Sequence, residues 1–149
     1  MIEIRKGKLH DLECIVELQL RMAQETEGFR LDRNVVSKGV RGVFQEPARG
    51  TYWVAEEKGK ILGVLLAIPE WSDWRNGTVL WIHSLYIIPE ARRRGVFKKL
   101  YLNLKRQVEK SPKLMGLRLY VDKTNKPAQK VYERLGMNKE HYELYEWLK

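Results

Sequence analysis

The chain has 149 residues, 44% hydrophobic and 32% charged, which suits one compact domain over 1–149 with a real core and excludes two full domains. Five Trp and seven Tyr dispersed among polar residues exclude long disorder, collagen-like sequence and low complexity, and no apolar run approaches the roughly 20 residues that span a bilayer. With 28 Lys and Arg against 19 Asp and Glu, the net charge of +9 calls for an anionic partner: nucleic acid, an acidic membrane surface or a phosphorylated small molecule.

In chain order, Ile2-Glu3-Ile4-Arg5 alternates as an opening strand. Leu12, Ile15, Val16 and Met22 then fall at helical spacing, with Asp11 placed to cap the helix and Gly28 to stop it. Asp32 caps a second helix through Val36, Val40, Val43 and Phe44, ended by Pro47. Thr51 to Glu56 and Lys60 to Ile68 form a hairpin across Glu57-Lys58-Gly59, and Pro69 is expected to close its second strand. Glu70 to Gly77 reads as a loop that carries Trp71 and Trp74. A long strand follows from about Thr78 to Ile88, ended by Pro89. Phe97, Leu100, Tyr101, Leu104 and Val108 trace one face of a helix that stops near Ser111-Pro112. Leu117 to Val121 is a further strand, Asn125 to Leu135 a short helix closed by Gly136, and Met137 to Leu148 the last strand material. The pattern places helices on both faces of a mixed sheet, an α/β or α+β domain.

Chemistry concentrates where the strand ending at Leu85-Tyr86-Ile87-Ile88-Pro89-Glu90 passes through Arg92, Arg93 and Arg94 into Gly95 and a helix. Unsatisfied amide N–H groups at a helix N-terminus, with a glycine that lets a ligand reach the backbone, make an anion site suited to pyrophosphate. Cations there oppose the helix dipole unless an anion compensates them. The competing readings are a solvated arginine loop or a backbone-phosphate patch for nucleic acid. Neither G-x-x-x-x-G-K-[ST] nor G-x-G-x-x-G occurs, so a nucleotide triphosphatase and a dinucleotide oxidoreductase are unsupported. The single Cys14 can form no internal disulfide and, lying in the first helix far in sequence from this stretch, reads as a core residue; His10, His83 and His141 lack metal-ligand spacing, and no metal is expected. The opening Met1-Ile2-Glu3-Ile4-Arg5-Lys6 lacks the apolar stretch of a signal peptide, so a cytoplasmic protein is expected.

Arg92-Arg93-Arg94-Gly95-Val96-Phe97 resembles the coenzyme-A-binding pattern [QR]-x-x-G-x-[GA] of the GNAT N-acetyltransferase superfamily, and Leu85 to Glu90 resembles the L-Y-V-x-P-E strand end before it. Phe97 departs from the usual small residue: either it narrows the approach of the pyrophosphate or it points inward along the helix's apolar face. Downstream, Asn125-Lys126-Pro127-Ala128-Gln129-Lys130-Val131-Tyr132-Glu133-Arg134-Leu135-Gly136-Met137 is similar to the family's N-x-x-A-x-x-[FVL]-Y-x-x-x-G-[FM] signature. The resemblance covers essentially the whole chain. It implies a mostly antiparallel sheet of six or seven strands in the order β-α-α-β-β-β-α-β-α-β-β, and acetyl-CoA as co-substrate.

It also implies that the backbone of Leu85, Tyr86 and Ile87 meets pantetheine, that Arg92 to Lys99 surround the phosphates, and that Asn125 and Ala128 contact the coenzyme. Lys98 and Lys99 fall within that span. Tyr132 would be the general acid for the departing thiolate, where the bland alternative is a packing tyrosine. His83, with an intrinsic pKa near 6.5, is the candidate base, directly or through water, against a structural histidine or proton loss to solvent. For a primary-amine acceptor on a small molecule or peptide, Glu25, Glu27, Trp71 and Trp74 supply acid and aromatic surface. Solvated helix ends and core cover are the alternatives for these four. Two further functions compete: a basic nucleic-acid-binding module and a catalytically silent acyl-CoA sensor on the same fold. Aromatic strand surface near the C-terminus makes a homodimer an expectation too.

Overall fold

The computed structural model describes residues 1–149 and divides into two compact units, 1–119 and 120–149. In the first, strand β1 (Glu3–Lys6) leads into helices α1 (Leu12–Glu27) and α2 (Arg33–Gln45), then strands β2 (Thr51–Glu57), β3 (Lys60–Ser72) and β4 (Gly77–Ile87), helix α3 (Val96–Lys110) and strand β5 (Leu114–Leu119). The sheet runs β1-β2-β3-β4-β5. Neighbours are antiparallel except β4 and β5, which lie parallel. That parallel pair needs a crossover, and α3 supplies it.

Local chemistry explains most boundaries. Asp32 accepts hydrogen bonds from the Asn34 and Val35 amides at 2.8 and 3.2 Å and starts α2. Gly28, at φ +68°, ends α1 in the left-handed conformation that glycine adopts without cost, while the Phe29 N–H returns to the Ala23 carbonyl. Asp11 sits at the start of α1, but its carboxylate turns back to accept from the Lys8 N–H and from Arg5. Lys58 and Gly59 join β2 to β3 with φ of +51° and +78°, the two positive values of a two-residue hairpin turn.

The core lies against β3, which is buried continuously from Leu62 to Ala67. A strand buried on both faces needs cover on both, and α1 and α3 each pack on it. Ile15 and Val16 of α1 and Val96, Leu100 and Leu104 of α3 are essentially inaccessible.

Two expectations are corrected. Pro69 does not close β3; the strand continues to Ser72, with Pro69 opposite Leu80 and Trp71 opposite Thr78. The β2 partner already ends at Thr51, opposite Ala67. Pro69 directs its missing donor to that unpartnered side, where no ladder bond is lost. The expected loop therefore shrinks to the hairpin tip at 73–76. The sheet has five strands, not six or seven, and 137–149 form no strand. Alternating apolar and polar residues there mark a face, but a strand exists only where backbone groups find partners.

The second unit holds helix α4 (Lys126–Arg134). Asn125 caps it by accepting from the Ala128 N–H at 3.2 Å. Buried Gln129 donates to the carbonyls of Asp122 and Lys123 and accepts from Lys139. This ties the chain on either side of the helix to its middle.

Candidate functional site

The site in the first unit begins with β4. Its pairing to β5 ends at Ile82 opposite Leu119, whereas its pairing to β3 continues to Ile87 opposite Gly63. Ile88 donates its N–H to the Leu62 carbonyl at 3.0 Å. Because a strand alternates sides every residue, Tyr86 also faces β3, and Leu85 and Ile87 direct their N–H and C=O groups to the side that β5 has left. The Arg92 Nε donates to the Ile87 carbonyl at 3.0 Å, which confirms this direction. Ser84 faces Leu66 and Ile82 faces Ala67, so His83 is the unmatched residue of a bulge and is exposed there.

After Pro89 the chain turns through the arginines. Arg93 lies at φ +63°, unusual for a residue with a side chain, and Gly95 at φ +77°. Gly95 is the N-cap of α3 and so offers no capping side chain, and nothing stands within 4 Å of where a Cβ would project. The first intrahelical bond runs from the Lys99 N–H to the Gly95 carbonyl, leaving the amides of Val96 and Lys98 without acceptors in the helix. These features form an open, electropositive cradle of the kind that anions occupy.

The three arginines have different duties. The Arg94 Nη2 donates to both Glu57 oxygens, at 2.9 and 2.8 Å, and draws that carboxyl below its usual range. Arg92 pairs with Glu25 at 2.6 Å and lies over the Tyr86 ring at 5.5 Å. The Tyr86 hydroxyl donates to the other Glu25 oxygen at 2.8 Å. Those bonds, Tyr86 first and Arg92 second, hold the Glu25 carboxyl below the ordinary value, while burial and the same carboxylate push the Tyr86 phenol up. Arg93, Lys98 and Lys99 are exposed and form no ion pair. Phe97 turns along its own helix, its ring 6.0 Å from that of buried Tyr101, and Val96 is buried.

The four acceptor candidates are not brought together. Glu25 joins Tyr86 near the end of β4, whereas Trp71 lies opposite Thr78 at its beginning, about 25 Å away along an extended strand. Glu27 is exposed at the end of α1. Trp71 and Trp74 are 65% and 86% accessible at the β3–β4 tip, so they do not cover core there. Beside them, Glu70 accepts from the Trp81 indole N–H at 2.6 Å and from Arg118 at 3.0 Å, and Arg118 lies over the Trp81 ring at 5.9 Å. Sequence reading missed both carboxylate–arginine–aromatic clusters. The one available hint is that a buried tyrosine such as Tyr86 requires a partner for its hydroxyl.

In the second unit, Ala128 and Tyr132 share α4 with the capping Asn125. Tyr132 is partly buried, and burial raises its phenol pKa. Cys14 is exposed on α1 and, contrary to expectation, not part of the core; partial desolvation first and the Asp11 charge second raise its thiol pKa. No helix is long and apolar enough to cross a membrane.

Residues 13–137 match the model of the acetyltransferase (GNAT) family. Among solved structures, a possible acetyltransferase from Clostridium difficile 630 is 39% identical, with 100% of this chain and 98% of that one covered and a TM-score of 0.93. More distant likenesses, which show the fold alone, include the aminoglycoside N-acetyltransferase AAC(6')-Iy in complex with CoA, 16% identical over 100% of this chain and 95% of that one at a TM-score of 0.80. The ribosomal-protein-alanine N-acetyltransferase of Brucella melitensis biovar Abortus 2308 is likewise 16% identical, over 99% of this chain and 100% of that one, with a TM-score of 0.79. No protein of curated function matches the chain.

Proposed function

Because the chain belongs to the acetyltransferase (GNAT) family and is an acyltransferase, we propose that it transfers the acetyl group of acetyl-CoA to a primary amine of a small molecule or peptide, by direct attack in a ternary complex. The observation that carries this reading is the open edge of β4 at Leu85 and Ile87, continuous in sequence with the uncapped N-terminus of α3 at Gly95. The family match runs through both compact units, and we take 1–149 as one functional domain.

The residues fit the coenzyme. The Val96 and Lys98 amides and the uncovered Gly95 would receive pyrophosphate, with Arg93, Lys98 and Lys99 supplying charge. The edge groups of Leu85 and Ile87 would pair with the pantetheine amides. Phe97 turns toward Tyr101, which supports the reading that it lies along the helix's apolar face. Bound acetyl-CoA supplies an acyl group activated as a thioester.

An edge N–H of β4 stabilises negative charge gathering on the acyl oxygen as the amine nitrogen bonds to carbon, a preorganised contribution that water cannot match. His83 removes the ammonium proton of the acceptor, directly or through a water. Tyr132, kept protonated by its raised pKa, donates its hydroxyl proton to sulfur as the C–S bond breaks. Asn125 and Ala128 support the coenzyme from α4. Glu27, Trp71 and Trp74 remain acceptor-side candidates, and no metal takes part.

Acetyl-CoA should raise the melting temperature, and thiol should be released in the presence of a suitable amine. No thermal shift at millimolar acetyl-CoA would sink the proposal. Tyr132→Phe should lower kcat by roughly a hundredfold while leaving coenzyme affinity intact. Equal loss of both would reduce the tyrosine to packing.

A further inference from the structure

The Glu25–Tyr86–Arg92 cluster joins three separate pieces of chain: the end of α1, the inner face of β4 and the loop that leads into α3. We propose that Glu25 is a positioning residue for coenzyme binding, which fixes Arg92 and, through it, the Ile87 backbone on the open edge of β4. The inference rests on the acetyltransferase reading above.

Each bond in the cluster restricts another. Tyr86 is only 5% accessible, so its hydroxyl has a fixed place, and donating to one Glu25 oxygen at 2.8 Å sets the plane of the carboxylate. The second oxygen then meets the Arg92 guanidinium at 2.6 Å. The guanidinium lies over the Tyr86 ring at 5.5 Å and sends its Nε to the Ile87 carbonyl at 3.0 Å. Arg92 thus contacts an anion, a ring and a carbonyl at once. A planar fork does this, whereas a lysine ammonium acts as a point charge. Gln19, two turns earlier on α1, adds a second tie to β4 by donating to the Ser84 hydroxyl at 3.3 Å.

Exposed ion pairs contribute little to stability because water competes and side-chain entropy opposes them. Glu25 and Arg92 are each 42% accessible, so the effect of this pair lies in orientation. What it orients is the one carbonyl of the open edge that also borders the phosphate cradle. Glu25 therefore belongs to the coenzyme's side of the reaction and not to recognition of the amine.

Steady-state kinetics and acetyl-CoA binding by calorimetry on the full chain test this. Glu25→Gln keeps an oxygen for Tyr86 but loses the ion pair with Arg92. It should raise both KM and Kd for acetyl-CoA by roughly five- to tenfold, the effect of one charge-assisted hydrogen bond. The amine KM, kcat and melting temperature should stay near wild type. Arg92→Lys, which keeps the charge but not the fork, should behave the same way, and Glu25→Gln/Arg92→Lys should be no worse than either alone. A rise in the amine KM with unchanged coenzyme binding would overturn the proposal, as would additive losses in the double variant. If the wild-type chain neither binds nor turns over acetyl-CoA, the proposed function fails and this inference with it. If it binds and Glu25→Gln binds equally well, only the inference fails.

Discussion

The two ends of β4 carry the same chemical unit in different surroundings. At its beginning, Glu70 accepts from the Trp81 indole and from an arginine lying over that ring, Arg118. At its end, Glu25 accepts from the Tyr86 hydroxyl and from an arginine lying over that ring, Arg92. The first unit spans β3, β4 and β5 where all three are paired, and so it stitches a closed sheet. The second sits where β5 has left, and its arginine reaches a backbone carbonyl that no strand uses. Identical side-chain chemistry thus serves cohesion at one end and orientation at the other, and the neighbouring backbone decides which.

The contrast breaks most sharply at the glycines near each end. Gly95→Val would put side-chain atoms into the open approach to the α3 amides at a φ that disfavours them, and should weaken acetyl-CoA binding at least tenfold, read by calorimetry. At the closed end, a Cβ on Gly77 would come within 2.6 Å of Met115 side-chain atoms and 3.0 Å of the Lys113 carbonyl. Gly77→Ala should cost about 1–3 kcal/mol in urea unfolding and leave coenzyme binding alone. Loss of coenzyme binding in that variant would mean that the ends are not independent. Glu70→Ala should cost at most about 1 kcal/mol, because it removes only an exposed hydrogen bond to the Trp81 indole and an exposed ion pair with Arg118, again without a change in coenzyme KM.

The smallest effect concerns acid. The Glu25 carboxyl is held below its usual value of 4.5 by Tyr86 and Arg92, so its share of stability is complete above that value and is lost as pH falls through its lower folded value. Glu25→Gln should therefore unfold with a flatter pH dependence below about pH 4.5 than the wild type. Curves that superimpose would show that the cluster does not bias folding.

Much of this was legible in residue order. Asp32, Gly28, Lys58-Gly59 and Asn125 carry local signals, because a cap or a turn is settled within four or five residues, and each sits where those signals require. The cradle at Gly95 was legible for the same reason. Pairing between distant segments was not. Pro69 breaks a strand only if its donor side has a neighbour, which depends on where β2 stops. The alternation after Gly136 says nothing about a partner strand. Glu25 and Arg92 stand 67 positions apart, and neither shows its partner in the sequence; their ion pair is visible only once the fold joins them. The +9 charge changes meaning too, since Arg92 and Arg94 are matched by Glu25 and Glu57, and the cationic surface left at the cradle is Arg93, Lys98 and Lys99.

The bulge at His83 has a mechanical consequence. It follows directly on the last rung shared by β4 and β5, Ile82 with Leu119, and an extra residue adds local twist. The β4–β5 ladder therefore ends beside the bulge as a zip stops at a misaligned tooth, and it is the main chain of His83 that marks the stop, whatever its imidazole does. Removing residue 83 outright would let Ile82 and Ser84 pair in step with Ala67 and Leu66 and would take out the extra twist at that point of β4.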